Sequence, residues 1–209
     1  MNKFKVVSLL LAVSLLAALV RLVWVSRDTA AEPAADKAET VYQNLLSRKS
    51  VRSYTDRPVS REALDSLVRV AMAAPTGRDM RPWSFVVVSS RSVLDSLAAA
   101  MPRNKMLGEA QAAIVVCGNL SVTDDQGKPS QNWTLDCAAA TENLLLMAEA
   151  MGLGAVWTAV YPYDDRLEPV CRVLELPDHL VPLSLVPIGY PKGDPKPKDK
   201  YDPDRIIYY

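Results

Sequence analysis

Within Arg48-Lys49-Ser50-Val51-Arg52, three basic side chains and a hydroxyl fall in five consecutive positions. In an extended backbone alternate side chains point the same way, so Arg48, Ser50 and Arg52 can converge on one anion, with Lys49 as part of the same basic motif. A short basic run is more often a solvated face, so the motif alone does not establish a site. Two further segments stand out, although each taken alone reads as a structural turn. Ala74-Pro75-Thr76-Gly77-Arg78-Asp79-Met80-Arg81-Pro82-Trp83 is a loop bounded by prolines with an aromatic at its exit. Gly152-Leu153-Gly154-Ala155-Val156-Trp157-Thr158-Ala159 carries glycines that permit close backbone approach.

Other chemistries find little support. The only histidine, His179, stands in a turn-like Pro177-Asp178-His179 stretch, away from any obvious nucleophile. Cys117, Cys137 and Cys171 are widely spaced with no C-x-x-C pair, which reads as buried thiols rather than a disulfide framework or a zinc site. Twenty-four basic and 24 acidic residues cancel, so no global field favours nucleic acid, and any anion site must be local.

The elements that must position these segments alternate in type. At 209 residues and 49% hydrophobic, the chain can bury one substantial core. Thr40–Arg48 reads as a short helix, and Ser60 caps a helix through Ala73 with Leu64, Leu67, Val68 and Ala71 on one face. Ser84–Ser89 and Ala113–Gly118 read as strands buried on both sides, separated by a helix that begins at Ser92 and ends near Pro102. Asp124–Ser130 is a surface loop. Leu135–Met151 is a central helix, apolar around most of its circumference and stopped by Gly152. Ala155–Val160 reads as a strand, Asp164–Glu175 as an amphipathic helix and Leu183–Ile188 as a last strand. The pattern is that of an α+β or α/β sandwich. The tail from Tyr190 to Tyr209, rich in Pro, Lys and Tyr, needs a surface to pack on, such as a second subunit.

The amino terminus is a separate matter. Lys3 and Lys5 precede an apolar run, Val6–Val20, followed by Arg21 and Leu22–Val25. Residues 1–25 therefore read as a signal peptide or membrane anchor, and residues 26–39 as a tether. The flanking lysines place the amino end in the cytoplasm and the rest of the chain, exported or anchored, on the extracytoplasmic side.

Together, in this order, these segments resemble the nitroreductase family of flavoproteins. The similarity covers about Val41–Tyr209: Arg-x-Ser-x-Arg, the Ala-Pro-Thr-Gly…Pro-Trp loop, Asp136…Ala-Ala-x-x-Asn143-Leu-Leu-Leu, Gly-Leu-Gly-x-x-Trp and Ile188-Gly189-Tyr190-Pro191. The resemblance implies an α+β fold with a central mixed sheet flanked by helices, residues 40–209 forming one FMN-binding domain, and a homodimer with one FMN in each of two clefts at the subunit interface. The carboxy-terminal tail would pack on the partner. Arg48 and Ser50 would bind the phosphate and ribityl chain, Arg52 would sit near the pyrimidine ring, and Lys198 or Lys200 would complete the phosphate site. Pro75, Thr76 and the Trp157-Thr158-Ala159 segment would line the ring.

Hydride chemistry would then belong to FMN, with NADH or NADPH as donor and a nitroaromatic or quinone-like acceptor, and the protein would supply orientation and electrostatics. Other flavin reactions, reductive dehalogenation among them, or FMN binding without turnover, are compatible with the same fold. Where many relatives carry Asn-x-Gln-Pro-Trp, this chain has Asp79-Met80-Arg81-Pro82-Trp83. Asp79 either accepts the flavin N3–H or is compensated by Arg78 or Arg81.

Overall fold

The computed structural model describes residues 34–209, so the amino-terminal 1–25 segment and most of the 26–39 tether lie outside the described residues. By their internal contacts the residues divide into two units, Met1–Tyr42 and Gln43–Tyr209. Helix α1, Ala34–Ser47, begins six residues before the expected Thr40 and so takes in the end of the expected tether. The reason is local, because Ala34, Ala35, Lys37, Ala38 and Glu39 are good helix formers. Among the described residues no helix is long and apolar enough to cross a membrane.

The larger unit is built on a sheet. Its strands are β1 (Trp83–Val88), β2 (Ala112–Asn119), β3 (Gly154–Ala155), β4 (Thr158–Ala159) and β5 (Leu180–Gly189), in the order β1-β2-β5-β3 with β4 also on β5. Every pairing between these strands is antiparallel, and among the described residues the parallel component is limited to the isolated bridge between Ser50 and Ala155. Helices α2 (Arg61–Ala71) and α4 (Trp133–Ala150) cover one face, and α3 (Arg91–Ala100) and α5 (Asp164–Leu174) the other.

β2 shows why the layers form. Ala112, Ile114 and Val116 enter the core under α2 and α4, while Ala113, Val115 and Cys117 enter the core under α3 and α5. Successive side chains of a strand point to opposite faces, so a continuous apolar run requires cover on both. That expectation fails for β1, which lies at the sheet edge and leaves Val87 42% exposed. The single strand expected at 155–160 is two short ones. They keep one register on β5, Ala155 opposite Ile188 and Thr158 opposite Leu185, and the gap falls opposite Pro187, which has no N–H to donate.

On α2 the Ser60 hydroxyl accepts from Ala63 N–H as the expected cap. Ser90, not Ser92, stands at the start of α3. Central helix α4 buries Cys137, Ala140, Thr141, Leu144, Leu145 and Ala148, yet Leu135 on its first turn is exposed.

Candidate functional site

The basic segment is fixed by α4 on one side and by the sheet on the other. Arg48 Nε lies 3.1 Å from Glu142 Oε1, and Lys49 Nζ lies 2.7 Å from Glu149 Oε1. The two glutamates are seven positions apart, two turns of helix, and so share the face that meets consecutive basic residues. Next, Val51 N–H donates to Ala155 O at 3.0 Å, and Val51 packs into the space that Gly154 leaves. A Cβ at Gly154 would stand 2.6 Å from Val51 Cγ1, so no side chain fits there. Tyr54 hydroxyl donates to Val51 O and Pro187 O, and burial pushes its ionisation far upward. Glu109 accepts from Ser53 Oγ at 2.8 Å and Tyr54 N–H at 3.1 Å, and these two bonds hold its carboxyl below the usual range.

The carboxy-terminal strand end completes the arrangement. Thr55 N–H donates to Tyr190 O and Lys192 N–H to Ser53 O, which brings the tail beside the basic segment. Pro195 and Pro197 hold the following backbone extended. Arg48, Lys49, Ser50 and Arg52 from one end of the unit, and Lys196, Lys198 and Lys200 from the other, then line one cavity of about 240 Å³. Of its six basic side chains, Arg48, Lys49 and Lys196 pair with Glu142, Glu149 and Asp194. Arg52, Lys198 and Lys200 have no acidic partner among the described residues.

The other expected site residues lie elsewhere. Pro75, Thr76, Asp79, Trp157, Thr158 and Ala159 do not line this cavity. The loop docks at the amino end of α4, where Gly77 N–H donates to Asp136 Oδ1 at 3.1 Å. Asp136 is 5% exposed, and its Oδ2 has no hydrogen-bond partner among the described residues. From Asp136 to Glu149 the helix rises roughly 20 Å at about 1.5 Å per residue. The loop and the Lys49 end of the cavity therefore sit at opposite ends of α4. Arg78, Asp79 and Arg81 all have positive φ, between 51° and 55°, a left-handed conformation that costs non-glycine residues energy. Thr76 hydroxyl accepts from Arg81 N–H, and Arg81 Nε donates to Asp79 Oδ1 at 2.7 Å. That guanidinium holds the Asp79 carboxyl below the usual range, while Arg78 turns to Asp124 at 3.5 Å. Of the two expected compensating residues, Arg81 is the partner.

Thr158 is buried, with its hydroxyl lacking a partner among the described residues, and Ala159 O accepts from Arg166 Nη1 at 2.7 Å. Of the three expected buried thiols, Cys117 and Cys137 are buried, whereas Cys171 on α5 is partly exposed. Burial pushes the Cys117 and Cys137 thiols up to about 12, which leaves almost no thiolate near neutral pH.

Sequence reasoning missed Lys196, Glu142 and Glu149. The period-two spacing of Lys196, Lys198 and Lys200 between prolines was available as a signal for the first. The two glutamates are identified only by the fold, which sets Arg48 and Lys49 against α4.

Comparison with known proteins gives one consistent answer. The model of the Nitroreductase family matches residues 45–102 and 93–190. A candidate NADH dehydrogenase/NAD(P)H nitroreductase of Methanothermobacter thermautotrophicus is 41% identical over 166 residues, 79% of this chain and 85% of that protein. A crystal structure of a protein so described from Parabacteroides distasonis is similar at 51% identity with a TM-score of 0.76, covering 81% of this chain and 97% of that one. A candidate nitroreductase in complex with FMN from Desulfovibrio desulfuricans is similar at 25% identity with a TM-score of 0.68, covering 81% and 96%.

Proposed function

Because the chain belongs to the nitroreductase family, we propose that it is an FMN-dependent NAD(P)H oxidoreductase whose phosphate site is the cavity between residues 48–52 and 196–200. The observation that carries this reading is the charge of that cavity. Lys198 and Lys200, two cations without acidic partners among the described residues, stand with Arg48 beside the Ser50 hydroxyl and match a phosphate monoester that carries close to two negative charges at neutral pH. FMN would supply the hydride transfer that the chain's own side chains do not offer.

The chain's residues then bind and orient. Arg48 keeps its two Nη groups for an anion while Nε is taken by Glu142. Lys49, whose side chain is 20% exposed and held by Glu149, contributes charge rather than direct contact. Arg52 lies at the exposed end of the motif, where a fixed cation stabilises negative charge that develops on a reduced ring. Pro75, Thr76 and Asp79, together with Trp157, Thr158 and Ala159, are proposed to line the ring.

A homodimer is part of this reading. It is supported by exposed Leu135 on α4, by the exposed tail residues Tyr201 and Ile206 to Tyr209, and by the docking of loop and cavity at opposite ends of α4. A second copy would bring its own loop to the first copy's cavity. The apolar run Val6–Val20 behind Lys3 and Lys5 supports export or membrane anchoring with this unit outside the cytoplasm. The acceptors proposed are nitroaromatic or quinone-like molecules.

The experiment is direct. Purified protein should be yellow, bleach when NADH or NADPH is added without oxygen, and regain colour with a nitroaromatic or a quinone. Folded protein that takes up no FMN from excess cofactor ends this reading.

A further inference from the structure

We propose that Tyr161, backed by Trp133, selects a planar aromatic electron acceptor by forming an aromatic wall beside the flavin ring. The inference deepens the proposed function and rests on its reading that Trp157, Thr158 and Ala159 line that ring.

The placement comes from the strand rather than from exposure. From Trp157 to Tyr161 burial alternates: Thr158 and Val160 are buried, whereas Trp157, Ala159 and Tyr161 are not. Val160 enters the core under α3 and α5. Trp157 packs against the core under α2 and α4, and Ala159 stands opposite Ser184, whose hydroxyl meets that of Thr141 on α4 at 3.1 Å. Trp157, Ala159 and Tyr161 therefore form one row on the α4 side of the sheet. Two residues of extended backbone span about 6.6 Å. Tyr161 thus stands about one aromatic ring's length beyond Ala159, where it borders a molecule stacked on a flavin ring that Ala159 lines.

The row is held in place on every side. Val160 N–H donates to Leu183 O at 2.9 Å, and Tyr161 N–H is shared between Pro182 O and Leu183 O, each at 3.2 Å. Ala159 O accepts from Arg166 Nη1 at 2.7 Å. The Tyr161 ring meets that of Trp133, the first residue of α4, nearly edge-on, with centroids 5.0 Å apart and planes at 68°. Trp133 in turn lies against Gly118 of β2, where a Cβ would come within 2.2 Å of Trp133 Cε3. Any side chain at 118 would displace the indole, so glycine there admits the backing ring.

What such a wall recognises follows from its chemistry. An aromatic face carries partial negative charge and attracts a flat, electron-poor ring such as a nitroaromatic or a quinone, whereas a compact hydrated anion gains nothing from it.

The test is steady-state reduction of menadione and of ferricyanide by the flavin-loaded full chain, with NADPH or NADH as donor and FMN content measured by absorbance. Tyr161→Leu keeps comparable bulk without the ring, and Tyr161→Phe keeps the ring. In Tyr161→Leu the ratio of kcat/KM for menadione to that for ferricyanide should fall about three- to tenfold, through the KM for menadione rather than kcat. In Tyr161→Phe the ratio should stay within twofold of the parent. An unaltered ratio in Tyr161→Leu with FMN bound overturns the wall and leaves the flavin reading standing. A loss in Tyr161→Phe as large as in Tyr161→Leu also overturns it, because the hydroxyl and not the ring would then be read. So does a change in the mass of the assembly on Tyr161→Leu, which would make Tyr161 a subunit contact. Protein that takes up no FMN ends both the flavin reading and the wall.

Discussion

Replacing Lys198 and Lys200 together by glutamine tests the charge argument most directly. After Glu142, Glu149 and Asp194 are matched with Arg48, Lys49 and Lys196, three cations are left for the ligand, and the double variant removes two of them. A unit charge pair at 4 Å is worth about 1 kcal/mol in bulk water and about 4 kcal/mol at an effective dielectric of 20. Both lysines are exposed, so the lower part of that range applies, and roughly 1–1.5 kcal/mol each is the working figure. Each single substitution should therefore weaken FMN binding about five- to tenfold, and the double substitution about 30- to 100-fold. Riboflavin, which lacks the phosphate, should bind the variants and the parent alike. Lys192→Gln is the control, since Lys192 lies nearer Glu109 and does not line the cavity. The assay is quenching of flavin fluorescence at fixed ionic strength, with the thermal midpoint measured in parallel. A double variant that binds FMN within twofold of the parent, with an unchanged midpoint, refutes the assignment of the tail lysines to the phosphate.

Two further substitutions probe the loop and the support behind the basic segment. Asp79→Asn leaves the Arg81 guanidinium without its carboxylate, so the local charge rises by one and the reduced flavin is favoured. The flavin potential should rise by on the order of 10 mV, since the field of one exposed charge is strongly screened by solvent. Because the Asp79 carboxyl is held below its usual range, the effect should persist through neutral pH and disappear only as acid protonates the parent's carboxylate. Potentiometric titration decides it, and Asp79→Asn with Arg81→Gln should return the potential to the parent value. Gly154→Ala forces a Cβ to 2.6 Å from Val51 Cγ1, an overpacking that should cost about 1–3 kcal/mol of stability. It should also weaken FMN binding, although residue 154 does not line the cavity, and an unaltered affinity would show that Val51 does not set the position of Arg48–Arg52.

Much of this architecture could be read before the structure was in hand, because its signals are local. The cap at Ser60 is a single side chain, and the two-sided burial of β2 follows from a run with no polar position. The early start of α1 and the break between β3 and β4 were less accessible. The first depends on weak propensities in Ala-rich sequence, and the second on Pro187, thirty residues further along, standing opposite the gap. Edge position misled for β1, since Phe85-Val86-Val87-Val88 resembles a central strand until its neighbours are counted. In the candidate site the cations were visible as types and spacings. Their counter-charges were not, because Glu142 and Glu149 lie about a hundred residues from Arg48 and Lys49 and nothing in a lone glutamate marks the partner it will meet.

On the proposed reading, those counter-charges let one ligand be held without the tail lysines also setting its redox behaviour. At the Glu149 end of α4 the charges are left unbalanced, and the surplus lines the cavity proposed for FMN. At the Asp136 end the loop is balanced internally, Asp79 against Arg81 and Arg78 against Asp124, so its net field on a neighbouring ring is small. Binding and potential should then respond to different substitutions. Removing Lys198 and Lys200 should weaken affinity and move the potential of the saturated protein by no more than a few millivolts, whereas Asp79→Asn should move the potential and leave FMN affinity within about twofold. Were the tail lysines to shift the potential as strongly as Asp79→Asn does, lysines and loop would share one electrostatic environment, and a separate phosphate end and ring end of the ligand could not be maintained.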